Sequence, residues 1–188
     1  KEKGVYDFSR YDNLNKMLQK SGLKQYYILS YSNKLYEGKR SVLTSEGRKA
    51  FSEFSRVTTH RYKDQGSVWE IWNEPNSETF WEPQPSYTTY AKLVKEVAPT
   101  IKRQDRSGIV VAPAISGVND ESLTWLDYFF EQDTLKYIDA VSVHPYRYSN
   151  PETVSEDYTK LKTLISLYTD KDVPIISGEW GYSTAHTP

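Results

Sequence analysis

The segment VWEIWNEPN runs from Val68 to Asn76 and indicates how this chain folds. It begins as a short run rich in β-branched and aromatic residues, and it ends in turn-forming asparagine and proline. This pattern is typical of a strand buried in a parallel sheet. The carboxyl ends of such strands are where α/β folds place their chemistry. Glu74 stands at this end, directly before Pro75.

A second stretch, PIISGEWG from Pro174 to Gly181, repeats the arrangement later in the chain, with Glu179 after its apolar run. Alone, Glu74 could be a structural carboxylate at a helix N-terminus and Glu179 one half of a salt bridge. Together they are more specific, because each has a tryptophan nearby that could stack on the apolar face of a sugar. Two carboxylates delivered by two different strand ends are the groups that a glycosidase needs.

Composition narrows the class of partner. The 188 residues suffice for one domain with its own core, and the absence of cysteine excludes disulfides and thiol catalysis. A net charge of −1 argues against nucleic acid and anionic membranes as partners. No apolar stretch approaches the roughly 20 residues of a membrane span. The chain starts with lysine and no signal peptide opens it, so we expect a processed or truncated product whose location the sequence leaves unknown.

Apolar runs alternate with segments of helical spacing along the whole chain. The predicted strands are Gln25 to Leu29, Val68 to Trp72, Ile109 to Ala112, Ile138 to Val143 and Val173 to Ile176. The predicted helix starts are Ser9, Ser45, Ser86, Asp120, and Thr153 or Ser155. The first helix carries an apolar stripe of Tyr11, Leu14, Met17 and Leu18, and Pro99 is expected to kink or end the third. This alternation predicts βα units in a single domain over residues 1–188.

The ends of the predicted strands decide between two parallel architectures. A closed (β/α) barrel uses eight strands, whereas a flavodoxin-like open sheet uses five and concentrates its site at one switch point. Polar groups follow four of the five runs here, at Tyr31 to Asn33, Asn73-Glu74, His144 to Tyr146 and Glu179-Trp180. Because chemistry spread around a ring fits a barrel mouth, we predict an α/β fold, a partial (β/α) TIM-type barrel of five parallel strands with flanking helices.

These residues resemble the clan A retaining glycoside hydrolases, and most closely family 39 and the related family 5-like endoglycosidases. The segments that carry the resemblance are Gly4 to Phe8, Ile28 to Asn33, Trp69 to Asn76, Phe80-Trp81, Val141 to Tyr146 and Ser177 to Gly181. The resemblance implies that Glu74 is the acid/base and Glu179 the nucleophile. It also implies that Asn73 contacts the 2-hydroxyl of the sugar.

Further residues are candidates for binding the carbohydrate. The resemblance implies that His144 and Tyr146 line the sugar site, with Tyr146 able to hydrogen-bond the nucleophile, although both could be ordinary packed residues. The remaining candidates are Trp180 and Trp81 as stacking platforms for sugar rings, and Tyr31 and Asn33 as substrate contacts. No metal site and no cofactor are expected, because the three histidines are scattered and no glycine-rich phosphate loop occurs. His60 and His186 are expected to be solvated.

The resemblance also exposes a difference. If Val68 to Trp72 is barrel strand four and Val173 to Ile176 is strand seven, then strands one, two and eight have no counterpart in this chain. Its sheet then has exposed edges, and we expect a homo-oligomer, most simply a dimer, that covers them. The predicted function is retaining hydrolysis of β-glycosidic bonds, which is compatible with a secreted or periplasmic enzyme. Two alternatives stay open, a catalytically impaired carbohydrate-binding fragment and a half-barrel without function.

Overall fold

The structure, a computed structural model, describes residues 2–184 and contains one parallel sheet of five strands. The strands are β1 Tyr26–Leu29, β2 Val68–Ile71, β3 Ile109–Ser116, β4 Ala140–His144 and β5 Ile175–Ser177. Each strand lies beside its neighbours in sequence, and every pairing is parallel. The prediction of an α/β fold with five parallel strands is confirmed. The flavodoxin-like alternative is wrong, because that fold would place the second strand outside the first.

One helix precedes β1, and four more connect the successive strands. They are α1 Ser9–Lys20, α2 Ser45–Arg61, α3 Tyr87–Gln104, α4 Asp120–Phe130 and α5 Val154–Ser166, with short 3₁₀ turns at Thr134–Lys136 and Pro151–Thr153. The side chains of Thr44, Ser86 and Asn119 cap α2, α3 and α4. The cap of α2 is thus one residue before the predicted Ser45. Within residues 2–184 no helix has the length and apolarity needed to cross a bilayer.

Pro99 lies inside α3, so the prediction that the helix could end at this residue is wrong. A proline in a helix interior costs about 3 kcal/mol, because it removes a backbone hydrogen bond. The side chains of Val94, Val97 and Ile101 on the same helix are fully buried. Each such burial stabilises the fold by roughly 1.5–3 kcal/mol, so their sum outweighs the cost of the proline.

The two faces of the sheet differ because successive side chains on a strand point to opposite sides. On β2 and β4, Trp69, Ile71, Val141 and Val143 face the helices and are fully buried in the main apolar core. The alternating positions face the concave side, which corresponds to the interior of a barrel. Glu70 is one of these positions, and it pairs in register with Ile28 of β1.

The concave side is only partly covered. Tyr26 and Ile28 of β1 and Ile109 of β3 are between 37% and 41% exposed. Within residues 2–184, β1 pairs with β2 alone and β5 with β4 alone. β1 and β5 are therefore the outer strands of the sheet, as expected when barrel strands one, two and eight have no counterpart.

The apolar stripe predicted on α1 does not enter the core. Tyr11, Leu14 and Met17 are about half exposed or more, at 55%, 48% and 68%. The helix instead buries Asn15, whose Oδ1 accepts a hydrogen bond of 3.0 Å from the Tyr27 hydroxyl. The reason is that α1 turns a polar face toward β1.

Asp105 anchors the amino ends of the strands. Its buried carboxylate accepts hydrogen bonds from the Trp69 indole at 2.9 Å and from the Ser107 hydroxyl at 2.7 Å. Burial works to raise the pKa of Asp105, but these hydrogen bonds outweigh it and hold the pKa below its usual value. Gly108 is needed beside this pair, because a β-carbon there would lie 2.6 Å from both the carboxylate and the indole nitrogen.

Candidate active site

Glu74, His144 and Glu179 meet at the carboxyl ends of β2, β4 and β5. The His144 Nδ1 lies 2.9 Å from a Glu74 carboxylate oxygen and 3.8 Å from a Glu179 carboxylate oxygen. One ligand-type atom from each of the three residues falls within a group no more than 4.8 Å across. The structure therefore brings together the two glutamates and the histidine that the sequence singled out.

The loop after β2 holds Glu74 against the end of β3. The Glu74 backbone N–H donates to the Ala114 carbonyl at 3.0 Å. The side chain of Asn76 forms two hydrogen bonds with the backbone of Ser116, accepting at 2.9 Å and donating at 3.0 Å. Trp72 and Glu74 both have positive φ angles, 72° and 44°. Such left-handed backbone in non-glycine residues costs about 1–3 kcal/mol each and is typical of functional sites.

His144 is placed by β4 and has no solvent-exposed surface. Its carbonyl accepts a hydrogen bond from the Gly117 N–H at 3.0 Å, and the preceding Val143 carbonyl accepts one from the Gly178 N–H at 3.0 Å. These backbone contacts tie β4 to the end of β3, against which the Glu74 loop is held, and to the segment that carries Glu179. The Nε2 atom of His144 is buried and has no hydrogen-bond partner among residues 2–184.

A second carboxyl group, Glu70, lies fully buried on the concave face below this cluster. Its Oε1 accepts a hydrogen bond of 2.7 Å from the Tyr26 hydroxyl. Burial raises the pKa of Glu70, whereas hydrogen bonds with Ser142 and Tyr26 oppose that shift. Glu70 is not among the site residues predicted from the sequence. The available signal was a charged residue in the middle of an otherwise apolar strand.

Tyr31 stands at the mouth of the site after β1. Its ring is 42% exposed and packs edge-on against Trp72, with centroids 5.4 Å apart. Burial, together with the negative charges of Glu179 and Glu74, raises the pKa of Tyr31, while Arg40 acts in the opposite direction. Tyr31 is thus within electrostatic reach of both carboxyl groups.

Asn73 is also near the mouth of the site. It is 6% exposed, and its side chain acts to lower the pKa of Tyr31, against the stronger effect of burial. The predicted contact of Asn73 with a sugar 2-hydroxyl stays a prediction.

Trp180 and Tyr146 lie on the opposite side of the mouth. The Trp180 ring is partly exposed, and the Arg147 guanidinium lies 5.8 Å from its centroid. Arg147 is itself held by Asp157 at 3.0 Å, so it is positioned to support one face of the indole. Tyr146 is 55% exposed and is available to a ligand.

Two of the predicted substrate contacts lie elsewhere. Trp81 is fully buried and packs edge-on against Trp72 and Tyr90, at 5.3 and 5.6 Å between centroids. It leaves no face for a sugar ring, so the stacking role predicted for Trp81 is corrected to a core role. The Asn33 side chain accepts a hydrogen bond from the Leu35 N–H at 3.0 Å, and this turn lines, together with Tyr31, a groove of about 610 Å³ beside β1.

Of the two histidines expected to be solvated, the structure describes His60. His60 is exposed on α2, and His186 lies outside residues 2–184. The grouping of Glu74, His144 and Glu179 has donor types that a divalent metal accepts. No metal site was expected because these three ligand-type residues are far apart in sequence and form no local metal-binding motif. That no metal is used here stays a prediction.

Comparisons with known proteins agree with this geometry. The chain matches the family described as Cellulase (glycosyl hydrolase family 5) over residues 6–187. A beta-xylosidase from Geobacillus stearothermophilus is 33% identical over 91 residues, which cover 48% of this chain and 18% of that protein.

Solved structures share the fold. A GH39 beta-xylosidase from Caulobacter crescentus matches with a TM-score of 0.76 at 23% identity, covering 98% of this chain and 42% of that one. Xylanase 10B from Thermotoga maritima matches with a TM-score of 0.69 at 13% identity, covering 94% and 56%. The chain thus spans less than half the length of the Caulobacter protein. With the family matched over almost all of its residues, the chain belongs to glycosyl hydrolase family 5, in clan A.

Proposed function

We propose that this chain hydrolyses β-glycosidic bonds with retention of anomeric configuration, with Glu179 as the nucleophile and Glu74 as the acid/base. The observation that carries the proposal is the approach of the two carboxyl groups, whose nearest ligand oxygens fall within 4.8 Å. Retaining glycosidases hold their carboxyl groups about 5–5.5 Å apart, whereas inverting enzymes leave room for a water molecule between them. The short separation therefore supports direct attack by a carboxylate.

The surroundings of the two groups support this division of roles. The Glu74 side chain is 14% exposed and contacts His144 at 2.9 Å, whereas the Glu179 side chain is 40% exposed. A nucleophile must reach the anomeric carbon, and the more open carboxylate at the mouth suits that task. A proton donor works best when it is enclosed and oriented by a hydrogen bond.

Two displacements follow from these roles. A Glu179 carboxylate oxygen attacks the anomeric carbon, the glycosidic C–O bond breaks, and the Glu74 proton moves to the leaving oxygen. Glu74, now ionised, takes a proton from a water molecule. That water attacks the anomeric carbon, the bond to Glu179 breaks, and the sugar leaves with its original configuration.

The relatives suggest the first substrates to test. Proteins named beta-xylosidase occur among both the sequence matches and the structural matches. We therefore propose β-linked xylosides as the substrate class, with Trp180, Tyr146 and Tyr31 around the sugar. The chain as described here carries both glutamates and the histidine between them.

The stereochemistry of the product tests the proposal. Proton NMR of 4-nitrophenyl β-xyloside during the first turnovers should show the β-anomer of xylose appearing before mutarotation produces the α-anomer. A matched control is Glu131→Ala, an exposed glutamate outside the site, which should turn over like the parent. First appearance of the α-anomer would contradict retention.

A binding role without turnover is the second candidate. The partly exposed concave face, with Tyr26 and Ile28 uncovered, favours it. Calorimetric titration with xylobiose separates the two candidates. Binding without any release of sugar would support the carbohydrate-binding alternative and would contradict the hydrolase.

A further inference from the structure

Glu70 is a buried carboxyl group for which the proposed mechanism has no use. It has no exposed surface, and its Oε2 has no hydrogen-bond partner among residues 2–184. No lysine or arginine in that range forms an ion pair with it. A buried carboxylate that is neither paired nor fully hydrogen-bonded is costly, so its neutral form is favoured.

Tyr26 connects Glu70 to the catalytic cluster. Its hydroxyl lies 2.7 Å from the Glu70 Oε1. The same hydroxyl lies 3.3 Å from the point that a β-carbon on Gly178 would occupy, and the Nε2 of His144 lies 3.2 Å from that point. Because residue 178 is a glycine, the hydroxyl and the unpartnered ring nitrogen share one small space next to Glu179. No direct hydrogen bond joins the two groups, so a water molecule in this space is the link that would connect the hydroxyl to Nε2.

We propose that Glu70 and Tyr26 are a positioning pair that fixes the proton of His144 on Nδ1: the neutral Glu70 carboxyl donates to the Tyr26 oxygen, and the Tyr26 hydroxyl donates to a water molecule that in turn donates to Nε2. The 2.7 Å contact between the Glu70 and Tyr26 oxygens suits donation in either direction. With Nε2 accepting, Nδ1 carries the hydrogen and donates it to Glu74 at 2.9 Å. Nε2, which lacks a partner among residues 2–184, then gains a donor without a further buried charge.

Burial favours this protonation state of Glu70, which has several charged or titratable groups around it. They are Tyr26 from β1, Glu74 after β2, Tyr90 from α3, His144 from β4 and Glu179 after β5. The strand β3 contributes no titratable side chain. Burial raises the pKa of Glu70 first, and the negative charge of Glu179 acts in the same direction. Its hydrogen bonds with Ser142 and Tyr26 lower the pKa of Glu70, as would a positive charge on His144. These effects do not reverse the rise caused by burial.

The pair matters for the proton on Glu74. An imidazolium at His144 would favour the ionised form of Glu74 and would weaken it as a proton donor. A hydrogen bond donated to Nε2 stabilises the neutral imidazole, because it occupies the lone pair that a second proton would need. The inference rests on the proposed function only in this catalytic consequence, since the tautomer of His144 is a property of the free protein.

The test measures the His144 tautomer by ¹⁵N NMR on histidine-labelled protein, with His60→Gln and His186→Gln to assign the signals. The parent should show the Nδ1–H tautomer. Tyr26→Phe keeps the ring but removes the hydroxyl, so the share of the Nε2–H or doubly protonated form should rise several-fold. Glu70→Gln should keep the parental tautomer, since its amide N–H can donate to the Tyr26 oxygen as the neutral carboxyl does. Thermal unfolding of each variant confirms folding.

A kinetic arm follows the basic limb of the pH–rate profile. This limb should move to lower pH by about one unit in Tyr26→Phe, whereas in Glu70→Gln it should stay close to the parental position. A parent with the Nε2–H tautomer, or a Glu70→Gln protein that behaves like Tyr26→Phe, would overturn the proposal. If the NMR results hold but the parent has no turnover, the hydrolase function fails and the positioning pair stands.

Discussion

At the scale of single residues, Glu74 and Glu179 differ in how firmly the chain holds them. Glu74 is fixed by the Ala114 carbonyl, by the Asn76 contacts with Ser116 and by His144. Glu179 follows the short edge strand β5, and its carboxylate approaches the same Nδ1 atom of His144 at the longer distance of 3.8 Å. The difference predicts separate kinetic consequences for the loss of each group.

Replacement of Glu74 by alanine should depend strongly on the leaving group. A poor leaving group needs a proton, so turnover of alkyl β-xylosides should fall by several orders of magnitude. A dinitrophenyl leaving group needs none, so formation of the glycosyl-enzyme should remain close to the parental rate. The basic limb of the pH–rate profile should also vanish. Equal loss for every leaving group, with the basic limb intact, would indicate a structural role.

Asp105 should contribute stability that depends on pH. Its folded-state pKa is held below its usual value of 3.8, so its contribution is present above that pH and is lost as the pH falls through the folded-state pKa. Asp105→Asn should lower the free energy of unfolding by about 1–3 kcal/mol at neutral pH. Urea titrations should show this deficit shrinking as the pH is lowered below about 4. A deficit that stays constant with pH would contradict the ionic contribution.

At the scale of the elements, the amino end of α2 is built around a buried carboxylate. The Glu37 Oε1 accepts hydrogen bonds from the Thr44 hydroxyl at 2.7 Å and from the Thr44 and Leu43 N–H groups. A carboxylate at a helix amino end is favoured by the unsatisfied N–H groups and the helix dipole. Gly47 provides the space for it, because a β-carbon there would lie 1.9 Å from the same oxygen.

Gly47→Ala should therefore destabilise the fold. The new methyl group must displace the Glu37 carboxylate and break its contacts with Thr44, at a cost of about 1–3 kcal/mol. Gly38→Ala is the matched control, since a β-carbon at Gly38 meets no atom within 4 Å. Thermal unfolding should show a lower Tm for the first variant and an almost unchanged Tm for the second. Equal Tm values for the two would contradict the close approach.

The sequence predicted the strands and helix starts well where they depend on neighbouring residues. The apolar runs gave all five strands, and the cap at Ser86 was read correctly because side-chain capping depends on a few neighbouring residues. The outcome for Pro99 depended on burial of distant parts of α3, which no local rule contains. Trp81 likewise became a core residue through contacts with Trp72 and Tyr90, which are set by tertiary packing.

At the scale of the whole molecule, the sequence predicted the meeting of Glu74 and Glu179 because parallel strands bring their carboxyl ends to one edge. It did not predict the buried pair of Glu70 and Tyr26, since their contact joins two strands across the concave face. That face is open along β1, where Tyr26 and Ile28 are partly exposed. An uncovered edge strand with apolar side chains is a surface on which another chain can pair.

We expect two copies to associate through this surface at micromolar concentration. A two-fold dimer covers the same patch on both copies. Ile28→Lys should weaken it, because the charge would have to be buried. Leu167→Lys, at an exposed site after α5, is the matched control and should leave the association unchanged. Sedimentation equilibrium reports the outcome, and a monomer at all concentrations would contradict the expected dimer.

Chemical rescue of Glu179→Ala tests whether Glu179 attacks the sugar while Glu74 protonates the leaving group. Removal of the carboxylate should lower kcat on 2,4-dinitrophenyl β-xyloside by several orders of magnitude. Azide can enter the space left behind and attack the anomeric carbon, so its addition should restore turnover and yield the α-xylosyl azide, of inverted configuration. Near-parental turnover without azide, or a rescued product that is free xylose or the β-azide, would contradict the account.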